Sequence, residues 1–112
     1  MNMLQAQVGA DGASVSVGGS AVPVPGLAAT PGQSVTFGVR PEHLSIGDGG
    51  IPCEVVVVEP TGPDIQVFAK SAAGPMMAIF RERHDFRPGE RISLLPDRSK
   101  VHVFDAASGA RL

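Results

Sequence analysis

The sequence predicts an all-β protein, and three observations support this. Glycine and proline contribute 14 and 10 of the 112 residues, which is high for a helical protein and typical of short strands joined by tight turns. Hydrophobic residues make up 43% of the chain, enough to form a core at this length. Apolar residues recur at the period of a β-strand, and no segment keeps the helical period for three turns.

The first half of the chain contains four strand patterns, at residues 4–8, 14–17, 21–24 and 34–39. The third pattern contains Pro23, which favours an edge strand because proline cannot donate a backbone hydrogen bond. After the fourth pattern, residues 40–43 are expected to form a short helical turn, with Pro41 suited to its first position. Leu44 and Ile46 then complete the first unit.

The second half contains five strand patterns, at residues 53–58, 65–70, 76–80, 90–95 and 101–104. Residues 47–50 read Gly-Asp-Gly-Gly and are predicted to be the linker between the halves. Glu54 and Glu59 are an odd number of residues apart in one strand, so they are expected on opposite faces. The register of Phe104 is expected to place it in the core.

The two halves are predicted to be an internal repeat with an offset of 57 residues. At this offset Pro31-Gly32 falls on Pro88-Gly89, and the apolar positions between 35 and 46 fall on those between 92 and 103. We expect a single domain, 1–112, with units 4–46 and 51–105 closing on each other into a barrel-like body. Residues 106–112 are expected to form a C-terminal tail. The positions predicted to be buried are Val35, Phe37, Val39, Leu44, Val55, Val57, Ile65, Val67, Ile92, Leu94, Val101 and Val103.

Composition and charge exclude several classes of protein. The formal net charge of −2 gives no electrostatic footprint for nucleic acid. The single cysteine, Cys53, permits no disulfide within the chain and is expected to be a small core residue. No apolar run approaches the roughly 18 residues of a membrane span, so no direct membrane insertion is expected.

No pattern in the sequence predicts catalysis, a cofactor or a metal. The three histidines, His43, His84 and His102, lack the spacing of metal ligands. No phosphate-binding glycine loop and no nucleophile elbow are present. His102 is expected on the solvent side of its strand, and residues 81–85 are expected to form a solvated charged loop. Contact with another molecule is therefore the function expected from the residues alone.

Three motifs resemble a known family when they are taken together and in order. They are FGVRPEHL at 37–44, VEPTGPD at 58–64 and VHVFDAASGARL at 101–112. They resemble the C-terminal regulatory domain of the ATPase subunits of sugar-type ABC importers, the transport-associated OB (TOBE) domain. The likeness is greatest to the glycerol-phosphate and maltose importer subfamily.

The resemblance implies an all-β fold of OB-barrel type, with about nine to ten short strands. It implies a regulatory and dimerisation role in the ATP-binding subunit of an importer for sugars or sugar-like solutes. The partners implied are a second copy of the subunit, the membrane subunits reached through the ATPase domain, and a regulatory protein. The location implied is cytoplasmic, peripheral at the inner face of the cell membrane. ATP and Mg²⁺ would belong to the ATPase domain, whose motifs this chain lacks, so no ATPase activity is expected of it.

Six residues outside the predicted core are candidate partner or dimer contacts: Arg40, Glu42, His43, Glu59, Gly62 and Asp64. The alternative is that these residues only cap turns, with Gly62 allowing positive φ and Asp64 bonding nearby amides. A second function also stays open, a small-ligand module that senses oxyanions. Such a site needs backbone amides, hydroxyls and cationic side chains that converge on the anion.

Overall fold

A computed structural model describes residues 1–82 and 84–112. In these residues the chain forms nine strands and one 3-10 helix. The strands are β1 (Asn2–Val8), β2 (Ser14–Val17), β3 (Ser20–Pro23), β4 (Ser34–Val39), β5 (Leu44–Thr61), β6 (Asp64–Ser71), β7 (Gly74–Phe80), β8 (Arg91–Pro96) and β9 (His102–Asp105), and the 3-10 helix is Pro41–His43. The all-β prediction is confirmed.

The strands form two curled antiparallel sheets, as in an OB-type barrel. One sheet has the order β3-β2-β1-β4-β9 and the other has the order β7-β6-β5-β8. The strand that contains Pro23 lies at an edge, as its missing N–H donor requires. Asn2 joins the two sheets, because its side-chain amide donates to the Met77 carbonyl at 2.8 Å and its side-chain oxygen accepts from the Met77 N–H at 2.8 Å.

Each half of the chain gives a strand to the other half. β4 pairs with β9, so that Phe37 lies opposite Val103. The start of β5 pairs with β8, so that Ile46 lies opposite Leu94. Adding 57 to the numbers of Phe37 and Ile46 gives those of Leu94 and Val103, so the two pairings have equivalent registers. Both strands β4 and β8 therefore depend on a neighbour from the other half of the chain.

The core lies between the sheets. Its largest fully buried side chain is Phe37. Of the twelve positions predicted to be buried, eight are buried, namely Val35, Phe37, Val39, Leu44, Val55, Val67, Leu94 and Val103. Three more are partly buried and packed against the core, namely Ile65, Ile92 and Val101. The prediction was wrong for Val57, which is 41% exposed.

A β-bulge in β5 explains the exposure of Val57. The pairing of β5 with β6 shifts register between Val55 and Val57, and such a shift reverses the faces of all residues that follow. The bulge also corrects a second prediction. Glu54 lies opposite Lys70 and Glu59 lies opposite Gln66; since these β6 residues share one face, both glutamates lie on the same outer face, and not on opposite faces.

The predicted linker at residues 47–50 lies inside β5. Leu94 of β8 is paired both with Ile46, before this segment, and with Ile51, after it. Gly50 is buried there, and a Cβ on it would lie 2.5 Å from the Leu94 carbonyl oxygen. The glycine-rich segment therefore permits a close approach of two backbones and does not act as a linker.

The end of the chain folds back along β9. The Leu112 N–H donates to the Val103 carbonyl at 2.8 Å, and Phe104 is bridged to Arg111. Phe104 lies on the face of β9 opposite buried Val103 and stacks on His102, with ring centroids 6.4 Å apart. The core position expected for Phe104 was therefore wrong, since Val103 takes that place.

Phe37→Ala is expected to lower the free energy of unfolding by about 3–5 kcal/mol, because it opens a cavity at the centre of the core. Phe104→Ala is the matched control. It removes the same ring from β9, the strand that pairs with β4, at a position on the outer face. This substitution is expected to lower the free energy of unfolding by about 1 kcal/mol. Urea unfolding of both variants measures the difference. Equal losses would contradict the assignment of Phe37 as the central core residue.

Gly50→Ala is expected to lower the free energy of unfolding by about 1–3 kcal/mol, because the new methyl group meets the Leu94 backbone, which cannot move aside without breaking strand pairing. Gly47→Ala is the control. Its Cβ would meet the end of the Leu95 side chain at 3.2 Å, and a flexible side chain can move. Thermal unfolding should separate the two variants, and equal melting temperatures would show that Gly50 is not constrained.

Candidate functional site

The 3-10 helix and the residue before it carry three of the six candidate contact residues, Arg40, Glu42 and His43. Arg40 precedes it with extended backbone angles, φ −74° and ψ 144°. The helix is held at both sides: the His43 N–H donates to the Arg40 carbonyl at 2.9 Å, and the His43 carbonyl accepts from the Asp97 N–H at 2.9 Å. The helix packs against β7, and it presents Glu42 to solvent.

The other three candidates lie at the hairpin between β5 and β6. Gly62 has φ 71°, a left-handed conformation that glycine adopts at little cost. The Thr61 hydroxyl donates to the Asp64 carbonyl at 3.4 Å across the turn. Among the described residues the Asp64 carboxylate has no hydrogen-bond or ion-pair partner. Gly62 therefore shapes the hairpin, and Asp64 presents an unpaired charge beside it.

Glu42 and Asp64, which are far apart in sequence, line one surface concavity of about 640 Å³. Arg81, Glu82 and His84 line its wall. We call this surface the charged concavity. It places cationic and anionic side chains next to each other on an open surface, an arrangement suited to contact with a protein of complementary charge.

The remaining candidates are not brought into the charged concavity. Gly62 lines an adjoining concavity of about 340 Å³, which shares Arg81, Glu82 and His84. His43 lines a third concavity beside Asp97, which shares Glu42 with the charged concavity. Arg40 and Glu59 line none of these. The charged concavity itself thus contains two of the six residues that the sequence reasoning grouped.

The loop after β7 was expected to be solvated throughout, but His84 is packed between two aromatic rings. Its ring centroid lies 5.0 Å from that of Phe80, edge to face, and 5.0 Å from that of Phe86, stacked. His84 Nε2 lies 3.1 Å from Glu82 Oε2. Arg83, part of the same predicted loop, lies outside the described residues. The signal that sequence reasoning missed was the pair of phenylalanines on either side of the charged segment.

The histidines near β9 occupy a cationic environment. Burial lowers the pKa of His102 below its ordinary value of 6.5, and the charges of Arg111, Arg40 and His43 lower it further. His43 Nδ1 is buried, and within the described residues it has no hydrogen-bond partner.

Cys53 is also buried, and burial raises the pKa of its thiol to about 11, so this thiol is a poor nucleophile at neutral pH.

No group of three or more His, Cys, Asp or Glu side chains in the described residues is arranged to hold a metal ion. No helix in the same part of the chain is long and apolar enough to cross a membrane.

Comparison with protein families identifies the domain. The family model described as TOBE domain matches residues 37–104, more than half of the chain. The chain belongs to the TOBE domain family. A second family model, described as the MalK OB fold domain, matches residues 1–44, so the two matches together cover this TOBE domain as far as β9.

Relatives of this TOBE domain are ATP-binding proteins of ABC transporters. One, an ABC transporter ATP-binding protein of Sinorhizobium fredii, is 44% identical over 115 residues, covering 100% of this chain and 31% of the relative. An sn-glycerol-3-phosphate import ATP-binding protein of Salmonella paratyphi A is 32% identical over 120 residues, covering 100% and 33%. The protein of the same name in Cereibacter sphaeroides is 33% identical over 116 residues, covering 100% and 32%.

The chain thus spans about a third of the length of these curated relatives. The resemblance derived from the three sequence motifs is confirmed, since the family and the names of the relatives agree with it.

His102 is expected to make the stability of the TOBE domain pH-dependent below pH 6.5, its ordinary pKa. Because folding lowers the pKa of His102 from 6.5, its contribution to stability is fully present above 6.5 and is lost as the pH falls through the lower folded-state pKa. Urea unfolding of the parent and of His102→Asn between about pH 5 and 8 should show a shallower pH dependence in the variant.

The carboxylates with shifted pKa do not interfere with this measurement. The pKa values of Asp11, Asp97 and Asp105 are lowered from 3.8, mainly by hydrogen bonds from serine or glutamine side chains and backbone amides. Their contributions are therefore lost only at more acidic pH. Identical pH profiles for the parent and His102→Asn would contradict the lowered pKa of His102.

Proposed function

We propose that this chain is the regulatory and dimerisation domain of the ATP-binding subunit of an ABC importer for sugars or sugar-like solutes such as glycerol phosphate. One observation carries the proposal: import ATP-binding proteins align with the whole chain over about a third of their own length. In such an arrangement the remaining two thirds of the subunit contain the ATPase, and the TOBE domain regulates it.

The chain on its own binds no cofactor and does not hydrolyse ATP. ATP hydrolysis needs a phosphate-binding loop and residues that hold Mg²⁺, and the sequence contains no such loop. In this proposal both ATP and Mg²⁺ are bound by the ATPase domain. Purified chain should therefore release no phosphate from ATP, and measurable turnover would contradict the regulatory function.

The proposed partners are a second copy of the subunit, a regulatory protein, and the membrane subunits, which are contacted through the ATPase domain. The subunit would then lie in the cytoplasm, peripheral to the inner face of the membrane. The names of the relatives support this arrangement, because an import ATP-binding protein acts with membrane subunits that carry the solute.

We place the self-contact at the charged concavity. The side chains of Glu42, Asp64 and Arg81 are without ion-pair partners in the described part of the chain. A two-fold interface pairs a surface with itself, so a carboxylate of one copy can meet Arg81 of the other. Charge pairs of this kind fix the register of an interface more than they add to affinity.

The purified chain is expected to dimerise at high micromolar concentration, and Asp64→Lys is expected to shift it to monomer, because the new charge then faces Arg81. Arg81→Glu should have the same effect, and the double variant should recover part of the association. Light scattering over a tenfold range of concentration measures the mass. Asp48→Lys is the matched control, since it makes the same charge change at an exposed position outside the concavity.

Two results would contradict this choice of surface and of function, and they are distinguishable. A fixed monomer mass at the highest concentration would contradict dimerisation by the chain alone. A dimer that Asp64→Lys and Arg81→Glu leave unchanged would show that the chain dimerises through another surface.

A further inference from the structure

A second pocket lies beside β9, on a surface that shares no lining residue with the charged concavity. Its volume is about 360 Å³, near the lower end of the range for small-molecule sites. Its apolar lining consists of Val24, Pro25, Leu27, Val101, Val103 and Leu112. Four of these, Val24, Leu27, Val101 and Leu112, are partly buried and packed against the core, so the floor of the pocket is built on the rigid part of the fold.

The polar side chains of this pocket are predominantly cationic. Arg98, His102 and Arg111 line it together with Ser99, and none of the described side chains that line it is acidic. Ser99 is already satisfied, since its hydroxyl and its N–H both donate to Asp97 Oδ1, at 2.7 and 3.1 Å. The donors left for a ligand are therefore those of the two arginines and the histidine.

The two arginines carry like charges, and the Asp97 carboxylate, which adjoins the pocket, accepts hydrogen bonds from Ser99. Neither Arg98 nor Arg111 forms an ion pair in the described part of the chain. Burial lowers the pKa of His102, and the charges of Arg111, Arg40 and His43 lower it further; of these cations, Arg111 lines the pocket with it. A bound anion would offset the charges of the two arginines, and guanidinium groups bind carboxylate and phosphate oxygens in a bidentate geometry.

We propose that this pocket binds a small organic anion, in which a carboxylate or phosphate group is attached to a compact apolar body. The anionic group meets Arg98 and Arg111 at the rim, and the apolar body contacts the Leu27 and Val101 side chains on the floor. The site goes beyond the proposed regulatory function and does not depend on it, because neither dimerisation nor ATP hydrolysis uses these residues.

Titration of the 15N-labelled chain, followed by NMR, tests the site. The probes are phenyl phosphate and benzoate. Two further probes are inorganic phosphate, which lacks the apolar body, and benzyl alcohol, which lacks the charge. We expect saturable shifts of the amides at Val101, His102 and Leu112 with at least one of the first two probes. Binding of the last two should be weaker by roughly tenfold or more, since each lacks one of the two required parts. The comparison of phenyl phosphate with benzoate identifies the preferred anionic group.

Paired substitutions locate the binding. The double variant Arg98→Gln/Arg111→Gln is expected to weaken binding by roughly tenfold or more, the loss expected for charge-assisted hydrogen bonds. The matched control Arg87→Gln/Arg91→Gln removes the same charge from exposed positions outside the pocket and should leave binding unchanged. If the spectrum of the double variant departs from that of the parent, Arg98→Gln alone replaces it, because Arg98 is exposed in a turn.

Three outcomes would overturn the proposal. The first is the absence of saturable shifts with phenyl phosphate and benzoate up to about 10 mM, beyond which binding is weaker than that of most specific sites. The second is equal affinity for inorganic phosphate and phenyl phosphate, which would show that the apolar floor is not used. The third is an equal loss of affinity in the Arg87→Gln/Arg91→Gln control, which would show that only the overall charge matters.

Discussion

The fold depends on the close approach of β5 to β8 at Gly50. Leu94 pairs with residues on both sides of the 47–50 segment, and this is possible only because Gly50 lets the two backbones come within contact of each other. Residues 44–46, at the start of β5, belong to the first half and pair with β8 of the second half. In the same way, β9 of the second half pairs with β4 of the first. Without this exchange, β4 would lose β9 and become an edge strand. β8, which is an edge strand already, would lose its pairing with residues 44–46, and unpaired edges are unfavourable in a small β protein. Neither half is therefore expected to be stable by itself.

The course of β5 also forms the charged concavity. A straight strand of 18 residues would extend for about 60 Å, but the longest dimension of the molecule is 41 Å, so β5 must curve. Glu42 lies just before this strand and Asp64 just after its hairpin, and the curvature allows both to line one concavity. Their proximity follows from the bend of the sheet and not from their spacing in the chain.

Local patterns predicted most of the strands, because alternation of apolar residues and turn residues such as Pro31-Gly32 act over a few positions. They failed where long-range pairing decides the outcome. Four consecutive valines at 55–58 carry no information about which residue faces inward, so the bulge that exposes Val57 was not predictable from them. The composition of 47–50 is typical of a linker, and only the pairing of the residues on either side of it with β8 places it inside a strand. Likewise, the position of His84 depends on two phenylalanine rings that meet only in the folded chain.

The charged concavity and the pocket beside β9 that contains Arg98 and Arg111 share no lining residue, but one hydrogen bond connects the elements that carry them. The His43 carbonyl, in the 3-10 helix that presents Glu42, accepts from the Asp97 N–H in the turn that presents Arg98. A ligand bound to Arg98 would therefore contact the turn whose backbone is hydrogen-bonded to this helix. Coupling between two sites requires a shared element that has two conformational states, and binding at each site must change the free-energy difference between those states. Because Ser99 also donates to the Asp97 carboxylate, Asp97 is held on both sides, and the turn is joined to the helix that carries Glu42 through the backbone rather than through flexible side chains.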